Sequence, residues 1–244
     1  MNILTKRFAQ WALAATLAVP TLASAYVLGP ANNKWGSPTL GIGANISWSL
    51  TGSIDCASEG ISTCSPLSSF MPSGFLTEIN AAFSAWSNVA NLTFVQVFDN
   101  GVASGAPGTN ADIRISGRPI DLSVFGYAYF PPPPDGFSQE GDVFFNSLVP
   151  WNIGLGGNGV SIFQVAAHEL GHALGLDHTD VANSLMNDGI SAAFIGPQAD
   201  DIAGMQALYG RRAINAVPEP TTLALMGLAL AALGLRRRSA QRPA

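Results

Sequence analysis

The chain is 244 residues long, 48 % hydrophobic and 11 % charged, with a formal net charge of −5. Between residues 26 and 216 the balance is more acidic, with five basic and fifteen acidic side chains and a net charge of −10. About 190 residues make one domain with room for a real core, and an acidic surface argues against nucleic acid and anionic lipid as partners.

Residues 1–25 read as a secretory signal peptide. Lys6 and Arg7 supply the positive start, residues 11–19 a short apolar run, and Ala23-Ser24-Ala25 an A-x-A cleavage site. The run is too short to span a bilayer as a stable helix, so the exported chain is expected to begin at Tyr26. Asn33-Lys34-Trp35-Gly36 is expected to wrap the outside. Residues 42–50 alternate about Ala44, Ile46, Trp48 and Leu50, the pattern of a half-buried strand. Cys56 and Cys64 are the two cysteines of the chain and lie in an Asp/Ser/Gly-rich stretch. In an exported chain they are expected to form a disulfide, whose short loop would stabilise by roughly 2–3 kcal/mol on the chain-entropy estimate.

Over residues 75–90, Leu76, Ile79, Phe83, Trp86 and Ala90 recur at helical spacing and predict one buried stripe. Residues 92–98 are rich in strand formers, 101–110 form a Gly/Ala/Pro-rich loop, and 112–116 alternate as a short strand. Residues 127–130 are strand-like, and the prolines at 131–134 end that strand because proline cannot donate to a ladder. Residues 141–146 read as the last strand. A Gly-rich loop at 154–159 leads to Ser161, which with Gln164 makes a capping box opening a helix. On that helix Phe163, Ala167, Leu170 and Leu174 would face the core. Asp200 and Asp201 start a final helix that runs through Leu208 and ends at Gly210.

The chemistry concentrates in residues 168–178, His-Glu-Leu-Gly-His-Ala-Leu-Gly-Leu-Asp-His, which hold all three histidines of the chain. Four residues along a helix rotate about 400° and rise about 6 Å, so His168 and His172 project from one face and can meet one metal ion. Glu169 then sits beside the metal, where it can take a proton from a metal-bound water. His178 lies about 15 Å further along any continued helix. The helix must therefore stop, and Gly175 is placed to stop it by taking the left-handed conformation. Three imidazoles with one open position are a catalytic rather than a structural zinc arrangement.

H-E-x-x-H-x-x-G-x-x-H is the zinc signature of the metzincin metallopeptidases, and the flanking Val165-Ala166-Ala167 and Asp177-His178-Thr179 resemble the matrixin branch. The resemblance implies an α+β, zincin-like catalytic domain: a twisted mixed sheet, an active-site helix, a Met turn and a C-terminal helix. Met186, in Ser184-Leu185-Met186, matches the Met turn, and residues 200–210 resemble the closing helix of matrixin domains. No Tyr follows Met186 closely, so the extra Tyr ligand of some metzincins is not implied. Animal matrixins hold a second, structural zinc largely through histidines aligned here with Tyr127 and Phe144; without those histidines such a site is excluded. Calcium remains a candidate through Asp112, Asp121, Asp135, Asp142 or Asn146, although a solvated loop side chain is the simpler role for each. A zinc-blocking thiol, as in matrixin propeptides, is the rival reading of the cysteines.

The far end resembles a second family. Pro218-Glu219-Pro220, an apolar stretch over residues 221–235 and Arg236-Arg237-Arg238 resemble the PEP-CTERM sorting signal of Gram-negative bacteria. The resemblance implies an exosortase-type processing enzyme and a transmembrane helix held only transiently in the inner membrane, with the arginines cytoplasmic. A plain anchor is the alternative, but about fifteen apolar residues are short for a permanent span. The expected organisation is a signal peptide (1–25), a matrixin-like domain (26–216) and a sorting segment (217–244). The expected function is a secreted, monomeric zinc endopeptidase acting on protein or peptide substrates at the cell surface or outside the cell. The alternative is a non-catalytic surface or extracellular-matrix protein on a metzincin scaffold.

Overall fold

Five strands form the main sheet, in the order β5-β2-β6-β8-β7. The computed structural model describes residues 26–132, 138–156, 159–189 and 196–212. In chain order the elements are β1 (Val27–Leu28), β2 (Ala44–Leu50), β3 (Ile54–Asp55), β4 (Thr63–Cys64), α1 (Phe75–Val89), β5 (Leu92–Gln96), β6 (Ile113–Arg118), β7 (Gly126–Ala128), β8 (Val143–Asn146), β9 (Trp151–Asn152), β10 (Val160–Ser161), α2 (Ile162–Ala173), β11 (Leu176–Asp177) and α3 (Ala199–Tyr209). Strands β5, β2, β6 and β8 run parallel, and β7 is antiparallel to β8. This is the expected α+β mixed sheet. Residues 141–146, read as the last strand, place β8 inside the sheet between β6 and β7, so the edge is β7. That strand is shorter than residues 127–130 suggested: Tyr129 leaves the ladder but still donates from its N–H to the Asp142 carbonyl at 3.0 Å.

The helices cover one face. Ile79, Phe83, Trp86 and Ala90 are buried as their spacing predicts, and the Trp86 indole donates to the Ala167 carbonyl of α2 at 2.9 Å. Leu76 departs from the stripe at 37 % exposure, while its neighbour Phe75 packs against the core. Helix α2 is buried on every side from Gln164 to Ala173, its polar side chains Gln164, His168, Glu169 and His172 included. Phe163 is only partly buried, while Ala167, Leu170 and Leu174 lie in the core.

The segment expected to wrap the outside goes inside. Trp35 is 9 % and Lys34 is 5 % exposed. The end of a helix leaves carbonyls without partners, and at α2 the Trp35 indole donates to Ala173 O at 2.8 Å and the Tyr209 hydroxyl to Leu174 O at 2.8 Å. Trp35 is thus a cap for the central helix. Lys34 keeps its ammonium satisfied on the Trp35 and Ser37 carbonyls and 4.7 Å above the Tyr209 ring.

Candidate metal centre

Helix α2 begins with the expected cap: the Ser161 hydroxyl accepts from the Gln164 N–H. Its end also follows the expectation, with Gly175 at φ +107°. A Cβ at Gly175 would stand 2.4 Å from the Asn33 carbonyl, so the turn needs glycine for space as well as conformation. Past that turn β11 pairs antiparallel with β1, Val27 opposite Asp177, and brings His178 back toward the helix. The His178 N–H rests on the Asp177 carboxylate at 2.8 Å.

The three imidazoles converge. His178 Nε2 lies 3.1 Å from His168 Nε2 and 3.2 Å from His172 Nε2. Nitrogens on a tetrahedral zinc with bonds of about 2.05 Å stand about 3.3 Å apart, so the trio fits that ion. The outer ring nitrogens fit it as well. His168 Nδ1 meets the Leu185 carbonyl at 2.6 Å, and His172 Nδ1 meets the Leu176 carbonyl at 2.8 Å. A carbonyl can only accept, so each Nδ1 carries the proton and each Nε2 presents a lone pair to the centre. Burial holds both rings neutral: it lowers the pKa of His168, and with the nearby His168 ring it lowers that of His172 to about 3. Neutral imidazole is the form that binds metal. Among the described residues, this is the one group of three or more His, Cys, Asp or Glu side chains whose ligand atoms converge.

Glu169 is 6 % exposed, and burial alone pushes its pKa up to about 8, with no donor or cation offsetting it. It borders a cleft of about 430 Å³ walled by Phe125, Gly126 and Ala128 on one side and by Asp177, His178 and Asp188 on the other. A Cβ at Gly126 would lie 3.3 Å from a Glu169 carboxylate oxygen, which measures how closely β7 passes the acid.

Beneath the histidines lies Met186, 2 % exposed, on the turn Ser184-Leu185-Met186. A Cβ at Gly171 would stand 2.3 Å from Met186 Sδ, so a glycine between His168 and His172 lets α2 settle onto the methionine. The turn itself hangs on Asp201, a residue expected only to start the last helix. Asp201 accepts from the Ser184 hydroxyl, from Leu185 N at 2.7 Å, from Met186 N at 3.0 Å and from Gln198 N at 2.7 Å. The last of these, with the Gln198 side chain, closes a capping box on α3. One buried carboxylate therefore fixes both α3 and the loop whose Leu185 carbonyl orients His168. No local pattern distinguishes this acid from its neighbour Asp200.

Residues 67–210 match the matrixin family of peptidases. The chain belongs to the matrixins. Related matrixin sequences include karilysin of Tannerella forsythia, 32 % identical over 142 residues that cover 54 % of this chain and 28 % of karilysin. Rat stromelysin-2 is 38 % identical over 141 residues, covering 55 % and 28 %, and human matrix metalloproteinase-16 is 37 % identical over 158 residues, covering 59 % and 24 %. The chain thus spans about a quarter of the length of these relatives. Residues 216–238 match the PEP-CTERM protein-sorting motif, which includes Pro218, Glu219 and Pro220. That stretch, with its apolar run, lies outside the described residues, as do residues 1–25, read as a signal peptide; among the described residues no helix is long and apolar enough to cross a membrane.

Tyr127 and Phe144, in the segments expected to align with the second-zinc histidines of animal matrixins, are stacked rings 5.0 Å apart between centroids. Four of the calcium candidates make hydrogen bonds within the protein. Asp112 accepts from the Ser47 N–H and hydroxyl, Asp121 from Ser123, and Asp142 from Arg114 N. The Asn146 amide is consumed by the carbonyls of Ile120, Asp121 and Val124 and the N–H of Ile120 and Leu148. Asp135 lies outside the described residues. The cysteines form the Cys56–Cys64 disulfide, not a zinc-directed thiol.

Proposed function

We propose that this matrixin is an exported zinc endopeptidase, with His168, His172 and His178 as the metal ligands and Glu169 as general base. The observation that carries the reading is the convergence of three Nε2 atoms within 4.8 Å beside a buried carboxylate at the floor of an open cleft. Zinc held by the three imidazoles supplies Lewis acidity toward a carbonyl oxygen and lowers the pKa of a water in its open position toward 7.

The chain's own groups do the rest. His168 and His172 are held in one tautomer by the Leu185 and Leu176 carbonyls. An extended substrate would add to the free side of β7, whose other side is paired to β8. That docking sets the scissile bond beside Glu169, which as a carboxylate would take a proton and return it to the leaving amine; burial raises its pKa, and a cation held by the histidines would lower it again. The signal peptide over 1–25 and an exosortase-type enzyme acting near Pro218-Glu219-Pro220 would deliver the domain, residues 26–216, across the inner membrane to the cell surface or beyond.

The test is made on the full chain, exported and purified. Metal content and cleavage of casein are measured with and without chelator, beside Glu169→Ala. One zinc per chain, with cleavage abolished by the chelator and reduced at least about a thousandfold by Glu169→Ala, supports the reading. Zinc without cleavage moves the chain to the non-catalytic scaffold. A folded protein that takes no zinc overturns the ligand assignment.

A further inference from the structure

Strand β7 presents two faces, as any strand must, with successive side chains on opposite sides. Gly126 and Ala128 face the cleft and Glu169. Tyr127 faces away, into a cluster with Ile54, Cys56, Cys64 and Phe144. The strand has three residues and is paired on one side only, so its own ladder holds it weakly. What holds it otherwise is a carboxylate from a distant loop. Glu59 lies on the turn between the two bonded cysteines, and its side chain is 3 % exposed. It accepts from the Tyr127 hydroxyl at 2.6 Å, from Arg118 Nη1 at 3.0 Å, from the Tyr129 hydroxyl at 3.3 Å and from Gln139 Nε2. Arg118 Nη1 also donates to the Tyr127 oxygen at 2.8 Å, closing a ring of three bonds. Burial, with Glu59 next in effect, raises the Tyr127 pKa, so the phenol stays protonated and remains a donor.

These donors come from β6, from β7, from the residue after β7 and from the turn before β8. Glu59 meets all of them at once because the disulfide closes its loop and β3 and β4 pair across it, Ile54 opposite Cys64. A buried carboxylate with this many charge-assisted bonds is a strong directional tie.

We propose that Glu59, held out by the Cys56–Cys64 loop, is a positioning residue for substrate: it fixes from behind the edge strand onto which an extended peptide docks. Glu59 touches neither the cleft nor the histidines, so it acts on binding through Tyr127 and Tyr129. The kinetic part of the proposal rests on the endopeptidase reading; the structural part does not.

The experiment compares the purified wild-type chain with Glu59→Ala and with Tyr127→Phe, which removes one bond and keeps the stacked ring. Three quantities are read: amide hydrogen exchange of residues 126–128 against that of α2, zinc stoichiometry, and kcat and KM separately on an octapeptide recovered from a casein digest. Loss of a charge-assisted bond predicts exchange of β7 amides about tenfold faster in Glu59→Ala, with α2 unchanged, and a smaller change of the same sign in Tyr127→Phe. Zinc stays at one per chain. KM rises about tenfold while kcat stays within about twofold, the signature of lost uniform binding. Exchange that is unchanged in β7, or that rises equally in α2, overturns the proposal; so does a fall in kcat at constant KM. If the wild type cleaves no peptide, the endopeptidase reading fails while the exchange comparison still decides the brace. If Glu59→Ala does not fold, Tyr127→Phe carries the same test.

Discussion

Two glutamates flank strand β7, and the chain treats them in opposite ways. The Glu59 carboxylate, behind the strand, is buried among five donor groups, one of them a guanidinium. Glu169, in front of it, is also buried and has none, so its pKa climbs to about 8. Burying a carboxylate is costly in either case. Behind the strand the cost is offset by hydrogen bonds, and the group becomes a rigid tie. In front it is left standing, and the carboxyl keeps its proton at neutral pH until a cation beside it lowers the pKa. Proximity to a strand says nothing about role; the supply of donors decides it.

Asp201 extends the satisfied class, and removing it should have the largest effect on stability. Asp201, 1 % exposed, is the acceptor for the Leu185 and Gln198 N–H groups and the Ser184 hydroxyl, and Asp201→Ala leaves Met186 N only its bond to Ser184 Oγ at 3.0 Å. The expected loss is about 3–4 kcal/mol in chemical denaturation, with metal affinity lowered 10–100-fold because the Leu185 carbonyl no longer orients His168. An unchanged affinity would show that the Met turn keeps its shape without this carboxylate.

Asp99 sharpens the comparison through pH. Burial pulls its pKa up, but bonds from Arg114, Gly101 N and Ser49, and the Arg114 charge, outweigh burial and hold it below the usual carboxylate range. Its folded pKa is depressed, so its contribution is present above the unfolded value and is lost as pH falls through the folded one. Asp99→Asn should therefore cost about 2–3 kcal/mol at pH 7, with the gap to wild type closing in acid below about pH 4. A gap that stays constant down to pH 3 would contradict the pairing with Arg114 at 2.8 Å.

Glu169→Gln tests the bare member of the pair. In metal-stripped protein the raised pKa makes folding take up a proton at neutral pH, a cost the neutral amide does not carry, so unfolding at pH 7 should become harder by about 1–2 kcal/mol, whereas Glu59→Gln should make it easier. Equal signs for the two substitutions would break the comparison. The smallest effect is expected at Leu76→Ala: the side chain is 37 % exposed on the first turn of α1, and the change should stay within about 0.5 kcal/mol.

What the sequence by itself determined is what lies within reach of one turn of chain. The convergence of the three histidines was legible because all fall within residues 168–178, where helical period and one glycine decide which face they share. The strand and helix patterns followed from alternation and spacing in the same way, and two cysteines eight apart in an exported chain have little choice of partner. Only the tertiary structure decided the rest. Trp35 reads as an outer wrapping residue, yet it crosses 138 positions to cap α2. Glu59 reaches Tyr127 across 68 positions, and Asp201 reaches Leu185 across 16, beyond any local period. An acid looks alike in a loop, a cap or a brace, since its role is set by which donors the folded chain gathers around it. That gathering is a property of sheet order and helix packing, and no window of sequence contains it.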